Sequence, residues 1–161
     1  MYIIIAFLIV ALDQITKIVV NSNIGYSYEI EVIKDFFYLT NIRNKGVAFG
    51  MLQDARIVFI PLTIFIMVFL TYLLMREEKW YKKLVYSLIL GGAVGNFIDR
   101  IFRGYVIDFL DFYIFSYNFP TFNVADIFIT IGTILLLFLV LKEEDFFRIE
   151  HWRRKERNGE F

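Results

Sequence analysis

Two acidic residues, Asp108 and Asp126, lie beside long apolar runs of the sequence, in the motifs VIDF and FNVAD. A carboxylate at membrane depth is energetically expensive, so we expect it to be paired with another group or used by the protein. Two carboxylates brought close together do not both ionise readily and tend to share one proton. Such a pair can take a proton from a water that attacks a peptide carbonyl and later protonate the leaving amine, as the aspartic-protease dyad does.

Each of these acids also has an ordinary structural interpretation. Asp108, with Asp111 three residues later, could simply be solvated at the membrane interface. Asp126 follows Asn123 by three residues, which is the spacing of a capping box at a helix N-terminus. Because a helix N-terminus favours negative charge, we expect Asp126 to be the more readily ionised of the two acids. We expect Asp108 to lie at the end of the third apolar helix and Asp126 at the start of the fourth, so both carboxylates should lie at similar depth near the outer face of the membrane. This shared position favours the catalytic interpretation.

The amino-acid composition narrows the class of protein and its chemistry. Of 161 residues, 58% are hydrophobic, which indicates a membrane protein rather than a soluble domain. The formal net charge is zero, so no overall basic field favours nucleic acid. The chain has no cysteine, and its one histidine, His151, lies in the polar C-terminal segment, which disfavours disulfides, thiolate chemistry, zinc sites and Ser-His triads. We therefore expect no metal and no cofactor.

Four apolar segments approach the roughly 20 residues that a helix needs to cross a bilayer. Lys and Arg are concentrated in the loop MREEKWYKK and in the C-terminal segment, which places both termini in the cytoplasm. The sequence therefore predicts an all-α membrane protein with four transmembrane helices. The predicted spans cover residues 1–20, 57–75, 84–102 and 124–141.

The longest connection, residues 25–56, predicts a small extracytoplasmic β-sheet. Its segment Ser27–Ile42 begins with polar–apolar alternation and continues as a β-branched and aromatic run, which favours two short strands. Gly46 follows, in a loop that returns to the membrane. We predict one membrane domain over residues 1–142 and a solvated cytoplasmic tail over residues 143–161.

Polar residues inside the first and third spans have two interpretations each. Asp13 and Lys17 are four positions apart, so they form either an ion pair that makes Asp13 tolerable in lipid or part of a site. Asn96, Asp99 and Arg100 fall within about one helical turn. For Asp99 and Arg100 we favour a structural cluster in which Asp99 or another acid neutralises Arg100.

Small residues in the third span predict close helix packing. Gly91 and Gly95 are four positions apart, which forms a small-xxx-small pattern. We expect another helix backbone to approach this face.

Two other classes of membrane protein are alternatives to a protease. A small transporter or proton channel would need Asp13, Asp99, Asp108 and Asp126 to line one path across the bilayer. Most polar motifs lie toward the outer half instead, and the sequence has no obvious inverted repeats or broken helices. A non-catalytic scaffold would leave the polar motifs without a purpose. Zinc and serine proteases are disfavoured because the sequence has neither H-E-x-x-H nor G-x-S-x-G.

Five motifs occur in the order found in lipoprotein signal peptidases, also called signal peptidase II. They are DQITK (13–17), RNKGVAFG (43–50), GNFIDR (95–100), VIDF (106–109) and FNVAD (122–126). The sequence resembles this family over all four predicted helices, from about Asp13 to Leu141. It departs from the usual family pattern at Val47, Gly50 and Ile107, none of which is a proposed catalytic group.

The resemblance implies an aspartic endopeptidase of the bacterial plasma membrane, with its active site near the extracytoplasmic face. Such enzymes remove the signal peptide from diacylglyceryl-modified prolipoproteins, cutting on the amino side of the modified cysteine. The implied catalytic pair is Asp108 and Asp126. The implied partners are these signal peptides and membrane lipids but no nucleic acid, and we expect a monomer. The supporting residues are placed at Asp13, Lys17, Asn44, Gly46, Asn96, Asp99, Arg100 and Asn123.

Overall fold

A computed structural model describes residues 1–46, 56–115 and 117–158 of the chain. Val47 and Gly50 lie outside the described residues. Over the described ranges the chain forms helices joined by an antiparallel sheet. In chain order the elements are α1 (Tyr2–Asn23), β1 (Glu29–Ile33), β2 (Phe37–Asn44), α2 (Arg56–Arg76), α3 (Trp80–Phe102), β3 (Val106–Ile114), β4 (Tyr117–Phe122) and α4 (Val124–Asn158).

Three of the described helical segments are long and apolar enough to cross a membrane: Tyr2–Asn23, Trp80–Phe102 and Val124–Lys142. In α2, the corresponding apolar segment that the structure describes, Ile60–Arg76, is shorter than these three. The four predicted helices are therefore present, and the crossing of the membrane by all four stays a prediction. Large apolar side chains cover the outward faces of these helices, as a lipid environment requires, and Phe7 is 68% exposed.

The helix α3 lies at the centre of the bundle and packs against α1, α2 and α4. Glycines allow this close packing, because a Cβ atom at Gly91 would lie 2.9 Å from the carbonyl oxygen of Ala6 on α1. A Cβ atom at Gly95 would lie 2.6 Å from the carboxylate of Asp13, which is also on α1. The small-residue pattern of the third span is thus confirmed as a packing surface for α1.

The sheet has the strand order β1-β2-β3-β4, with every neighbouring pair antiparallel. It lies at the end of the bundle where α1 and α3 finish and α4 begins. The prediction of two strands in this region was incomplete, because the connection between α3 and α4 supplies a second hairpin, β3–β4. That connection is rich in the aromatic and β-branched residues that favour strands.

Asp108 lies on β3, and its predicted position at the end of the third helix was wrong. The helix α3 ends at Phe102 because Gly104 adopts a left-handed conformation with φ 80° and donates its backbone N–H to the Asp99 carbonyl. Glycine is favoured at this position because a side chain would strain the left-handed backbone. The helix therefore ends six residues before Asp108.

The helix α4 continues to Asn158, well beyond the predicted end of the fourth span at residue 141. The segment KEEDFFRIEHWRRKERN contains no glycine or proline and is rich in Glu, Lys and Arg, which favour a helix. The predicted polar tail is therefore helical over most of its length.

A small apolar cluster attaches the sheet to the bundle. Val20 and Ile24 at the end of α1 pack against Ile107 and Phe109 of β3. Because side chains alternate along a strand, Asp108 lies on the face of β3 opposite to its two apolar neighbours. The packing of Ile107 and Phe109 on α1 thus fixes the direction of the Asp108 side chain.

Candidate active site

The Asp108 carboxylate is buried, with only 2% of the residue exposed, and each of its oxygens accepts a hydrogen bond from an amide. The Nδ2 atom of Asn44 on β2 lies 2.8 Å from Oδ2, and the Nδ2 atom of Asn123 lies 2.6 Å from Oδ1. Two donors from different elements therefore fix the plane of this carboxylate.

The orientation of the Asn44 amide is itself fixed by Gly46. The Gly46 backbone N–H donates to Oδ1 of Asn44 at 2.7 Å, which leaves Nδ2 free to donate to Asp108. Gly46 has a positive φ of 78°, a conformation that glycine adopts without strain. Gly46 thus supports the site through its backbone.

Asp126 lies in the first turn of α4, where a capping box holds it. Its backbone N–H donates to Oδ1 of Asn123 at 3.0 Å, and the Asn123 backbone N–H donates to Oδ2 of Asp126 at 3.2 Å. The predicted capping box is confirmed. The second oxygen, Oδ1, accepts a 2.7 Å hydrogen bond from Nδ2 of Asn96 on α3. Asp126 is thus held by both its own helix and the neighbouring one.

A buried ion-pair cluster centred on Lys17 lies beneath these acids. Lys17 Nζ lies 2.8 Å from Asp13, 3.1 Å from Asp99 and 2.9 Å from Oδ1 of Asn96, and the side chains of the lysine and both acids are fully buried. The predicted Asp13–Lys17 ion pair is confirmed. Because Oδ1 of Asn96 accepts from Lys17, its Nδ2 is directed toward Asp126. The cluster therefore positions the site as well as neutralising the buried acids.

Asp13 also fixes the start of α4. Its Oδ1 accepts the backbone N–H of Ala125 at 2.9 Å, which satisfies one of the donors at the helix N-terminus. A carboxylate from α1 thus anchors the turn that carries Asp126.

Asp99 pairs with Lys17 and with Arg103, and it accepts the backbone N–H of Ile107 at 3.1 Å. It therefore links α3 to β3 at Ile107, the residue directly before Asp108. Arg100 donates from Nη1 to the carbonyl oxygen of Asn96 at 3.3 Å, which places its guanidinium beside the same helical turn.

An open groove with a volume of about 600 Å³ lies over Asp108. Its wall carries the Arg43 guanidinium, which lies over the rings of Tyr26 and Tyr105 at 4.7 and 5.1 Å from their centroids. Two cation–π contacts hold this cation in place at the groove. The residues lining the groove are Tyr26, Ile42, Arg43, Asn44, Lys45, Asp108, Pro120 and Thr121.

Burial raises the pKa of the Asp108 carboxyl from 3.8 to about 6. The hydrogen bond from Asn44 lowers this pKa, the negative charge of Asp126 raises it, and Asn123 and Lys17 lower it. The loss of hydration outweighs the two amide donors, because a charge is poorly stabilised away from water. A carboxyl with a pKa near 6 can exchange a proton at close to neutral pH, as general acid–base catalysis requires.

The sequence matches the family model described as signal peptidase (SPase) II over residues 5–142. The chain belongs to the signal peptidase II family. It is 42% identical over 145 residues to the lipoprotein signal peptidase of Halalkalibacterium halodurans, covering 89% of this chain and 93% of that protein. It is a peptidase by this membership.

Two solved structures, both described as bacterial membrane enzymes determined by the in meso method, have the same fold. One, at 2.3 Å resolution, gives a TM-score of 0.81 at 39% identity, covering 89% of this chain and 88% of that chain. The other, at 1.9 Å, gives a TM-score of 0.82 at 39% identity, covering 88% and 92%.

Two residues of this signal peptidase II member that contact the cluster were not identified from the sequence. Gln14 donates to both Asp13 and Asp99, at 3.2 Å each, and Arg103 pairs with Asp99 and donates to Oε1 of Gln14. The signal for Arg103 was its i,i+4 spacing from Asp99 on α3. No sequence pattern indicated Gln14, apart from its position next to Asp13.

The interpretation of the outer acids as solvated interfacial groups was wrong for this peptidase. Asp111 is only 4% exposed, and its carboxylate accepts a hydrogen bond from Oγ1 of Thr121 at 3.3 Å. Asp108 is buried to a similar extent. The sheet covers both side chains, which a helix ending at the interface would have left in water.

Proposed function

We propose that this chain is an aspartic endopeptidase that removes signal peptides from diacylglyceryl-modified prolipoproteins on the amino side of the modified cysteine. One observation carries the proposal: Asn123 donates from its side chain to Asp108 and from its backbone to Asp126, so a single residue holds both acids together. The similarity to a protein named lipoprotein signal peptidase supports the choice of substrate.

In the proposed mechanism, Asp126 is the base and Asp108 carries the shared proton. A water molecule attacks the scissile carbonyl carbon while Asp126 takes one of its protons, and protonated Asp108 hydrogen-bonds to the carbonyl oxygen. The tetrahedral intermediate then collapses. The C–N bond breaks as Asp126 returns the proton to the leaving amine, and the new carboxyl group remains on the signal peptide.

The roles of the two acids follow from their surroundings. Asp126 lies at the N-terminus of α4, where the helix dipole favours negative charge, and its Oδ2 accepts the Asn123 backbone N–H. Asp108 has lost most of its hydration, and its pKa of about 6 favours the protonated form more than an ordinary carboxyl would. The environments therefore separate the two acids into a base and a proton carrier.

The groove over Asp108 is suited to an extended peptide. Arg43 and Asn44 offer donors to peptide carbonyl groups, and the edges of the sheet allow an added strand. Each group around the acids is fixed by a second contact, so little reorganisation is needed when the peptide binds. We place the supporting roles on Asn44, Asn96, Arg100 and Asn123, with Asp13, Lys17, Gly46 and Asp99 holding them.

The proposed topology has four membrane crossings, both termini in the cytoplasm and the sheet on the extracytoplasmic side. The concentration of Lys and Arg in the segments opposite the sheet supports this orientation. The acids then lie at the membrane boundary, where a lipid-anchored substrate presents its cysteine. We propose that the protein acts as a monomer.

The proposal is tested with a synthetic prolipoprotein peptide whose cysteine carries a diacylglyceryl group, incubated with the purified protein and followed by mass spectrometry. We expect a cut on the amino side of the modified cysteine, and little cleavage of a matched peptide with an unmodified cysteine. Equal cleavage of the two peptides would contradict the proposed substrate. The absence of cleavage by a folded protein would contradict the proposed activity.

A further inference from the structure

A second cleft lies beside Asp126, separate from the polar groove over Asp108. It has a volume of about 280 Å³ and lies between β4 and the first turns of α4. Apart from Asp126 and Thr130, its lining is apolar. The lining residues are Phe119, Phe122, Asp126, Ile127, Thr130 and Ile131.

The strand β4 separates this cleft from the groove. Pro120 and Thr121 line the groove that contains Asp108, whereas Phe119 and Phe122 line the cleft that contains Asp126. The two acids thus belong to two neighbouring cavities, one polar and one apolar. A substrate whose reacting bond lies between the acids would contact both cavities.

The walls of the cleft are well ordered by packing. The Phe122 ring stacks on the Phe112 ring with centroids 5.7 Å apart. The Phe119 ring contacts the Phe122 ring edge-on, with centroids 5.8 Å apart. On the opposite side, Ile127 and Ile131 are four positions apart on α4 and therefore share one face of the helix. These contacts give the cleft a fixed shape, since aromatic pairs of this geometry are favourable.

The cleft opens toward the apolar outer surface of α4. Ile131 at its edge is 44% exposed, and Ile134 one turn further along the helix is 61% exposed. Because α4 is apolar enough to cross a membrane, these side chains are suited to contact with lipid. An acyl chain can therefore enter the cleft from the side without passing through water.

We propose that this cleft holds the first part of an acyl chain of the lipid attached to the substrate cysteine. This inference rests on the proposed function, because it assigns a place to the lipid of that substrate. The volume of about 280 Å³ is slightly below the roughly 300–1,000 Å³ of pockets that enclose drug-sized ligands. The cleft therefore takes part of one chain, and the remainder of the lipid stays in the bilayer.

The contribution of the cleft is to position the substrate rather than to extract it from water. An acyl chain in a bilayer is already in an apolar environment, so burying it in the cleft brings packing contacts and little hydrophobic gain. A chain held beside Asp126 places the adjacent scissile bond against the acids. Proximity of this kind can account for a large part of catalysis.

A larger apolar cleft, with a volume of about 640 Å³, lies between α1, α2 and α3. Its lining includes Ile3, Phe7 and Thr71, and neither Asp108 nor Asp126 contributes to it. Ile3 and Phe7 belong to the start of α1, which is the end of the bundle away from the sheet. We therefore assign the acyl chain to the cleft at Asp126, and the larger cleft is the alternative location that the experiment distinguishes.

The test is the variant Ile131→Trp, which fills the cleft, with Ile134→Trp as the matched control on the lipid-exposed surface of the same helix. Both are assayed on two substrates, one with long acyl chains and one with acetyl groups in their place. We expect Ile131→Trp to lower kcat/KM for the long-chain substrate at least about tenfold, since displacements of ~1 Å can lower rates ~100-fold. For the acetylated substrate, Ile131→Trp should lower kcat/KM less. The control Ile134→Trp should have the wild-type kcat/KM for both substrates.

A second experiment locates the acyl chain of the substrate without relying on turnover. The Asp108→Asn variant is irradiated with a substrate that carries a diazirine near the carbonyl end of its acyl chain, and the adducts are mapped by mass spectrometry. We expect adducts on residues 119–122 and 127–131 that an excess of substrate without the diazirine suppresses. Suppressible adducts confined to the cleft of α1, α2 and α3 would overturn the assignment.

The two proposals fail in different ways. A wild-type protein that does not cleave the long-chain substrate overturns the proposed function and, with it, the acyl site. A wild-type protein that cleaves this substrate, together with an Ile131→Trp variant as active as Ile134→Trp, overturns the acyl site alone.

Discussion

The side-chain nitrogen of Asn123, which precedes α4, lies 2.6 Å from the carboxylate of Asp108 on β3, and the two residues are 15 positions apart in the chain. Asn123 can make this contact because its own Oδ1 is occupied by the Asp126 backbone N–H, which fixes the orientation of the amide. The N-terminal cap of α4 and the support of the site are thus one interaction. A change in the start of α4 will therefore alter the placement of both acids.

Replacement of the buried Asp108 is expected to stabilise the protein at neutral pH. A pKa raised from 3.8 to about 6 corresponds to a destabilisation of about 3 kcal/mol once the group is ionised, at ~1.4 kcal/mol per pH unit. Asn has one acceptor oxygen for two amide donors, so we expect Asp108→Asn to recover only about 1–2 kcal/mol.

This stabilisation should depend on pH with a defined sign. Because the folded protein binds the Asp108 proton more tightly than the unfolded chain, wild-type stability falls as pH rises from about 4 through about 6. The advantage of Asp108→Asn should be largest above pH 6 and shrink on acidification. Melting temperatures in detergent between pH 4 and 8 measure it, with the exposed turn variant Asp35→Asn as control. An advantage that is independent of pH would contradict this account.

Removal of the Asn44 amide should change the pH dependence of catalysis. The hydrogen bond from Asn44 lowers the pKa of Asp108, so Asn44→Ala should raise that pKa. In the proposed mechanism activity falls as Asp108 loses its proton, and the alkaline limb of kcat/KM should therefore move to higher pH. The control is Asn118→Ala, an exposed amide of β4 that contacts Tyr113 and neither acid. An alkaline limb of the kcat/KM profile that stays at the same pH or moves to lower pH would argue against Asp108 as the proton carrier.

The buried cation Lys17 is expected to be essential for stability. Lys17→Met leaves Asp13 and Asp99 buried without their central partner, and breaking a buried pair in this way typically destabilises by about 3–5 kcal/mol. Thermal unfolding in detergent measures the loss, and Lys34→Met, at an exposed lysine, should change stability by less than about 0.5 kcal/mol. A second change, Asp99→Asn, should restore part of the stability of Lys17→Met. A stable single variant would show that the cluster is not ionised as described.

The close contact between α1 and α3 should be sensitive to a single methyl group. A Cβ atom at Gly95 would lie 2.6 Å from Oδ2 of Asp13, so Gly95→Ala must displace the carboxylate that holds Lys17 and the start of α4. We expect a destabilisation of about 1–3 kcal/mol and a reduced kcat. The control Gly25→Ala would meet only the ring of Tyr28, an exposed side chain that can move. Equal kcat values for the two variants would contradict the positioning role of Asp13.

Features with short sequence separation could be predicted from the sequence. The Asn123–Asp126 capping box and the Asp13–Lys17 pair depend on residues three or four positions apart, and both were found. The packing surface formed by Gly91 and Gly95 on α3 was likewise predicted from the spacing of these residues. In each case the local periodicity of the helix determines which side chains meet.

Features that depend on tertiary pairing could not be predicted in this way. β3 is buried on both faces around Asp108, so it shows little alternation and was interpreted as the end of a helix. The donor to Asp108 from β2 is Asn44, 64 positions away. The strand register, which pairs Asp108 with Ile42 and Asn44 with Val106, brings their side chains together. The sequence thus indicated Asp108 as one of a pair of acids, which the family resemblance supported, whereas its strand and its donors required the structure.

The most direct test of the central claim compares the cleavage rates of wild type, Asp108→Asn and Asp126→Asn on the diacylglyceryl-modified peptide, with folding verified for each protein. If the two acids form the catalytic pair, each variant should remain folded and lose at least about 10³-fold in kcat, because each loses a proton-transfer step. The exposed variant Asp35→Asn should keep the wild-type rate. A folded Asp108→Asn or Asp126→Asn variant that cleaves at close to the wild-type rate would contradict the claim.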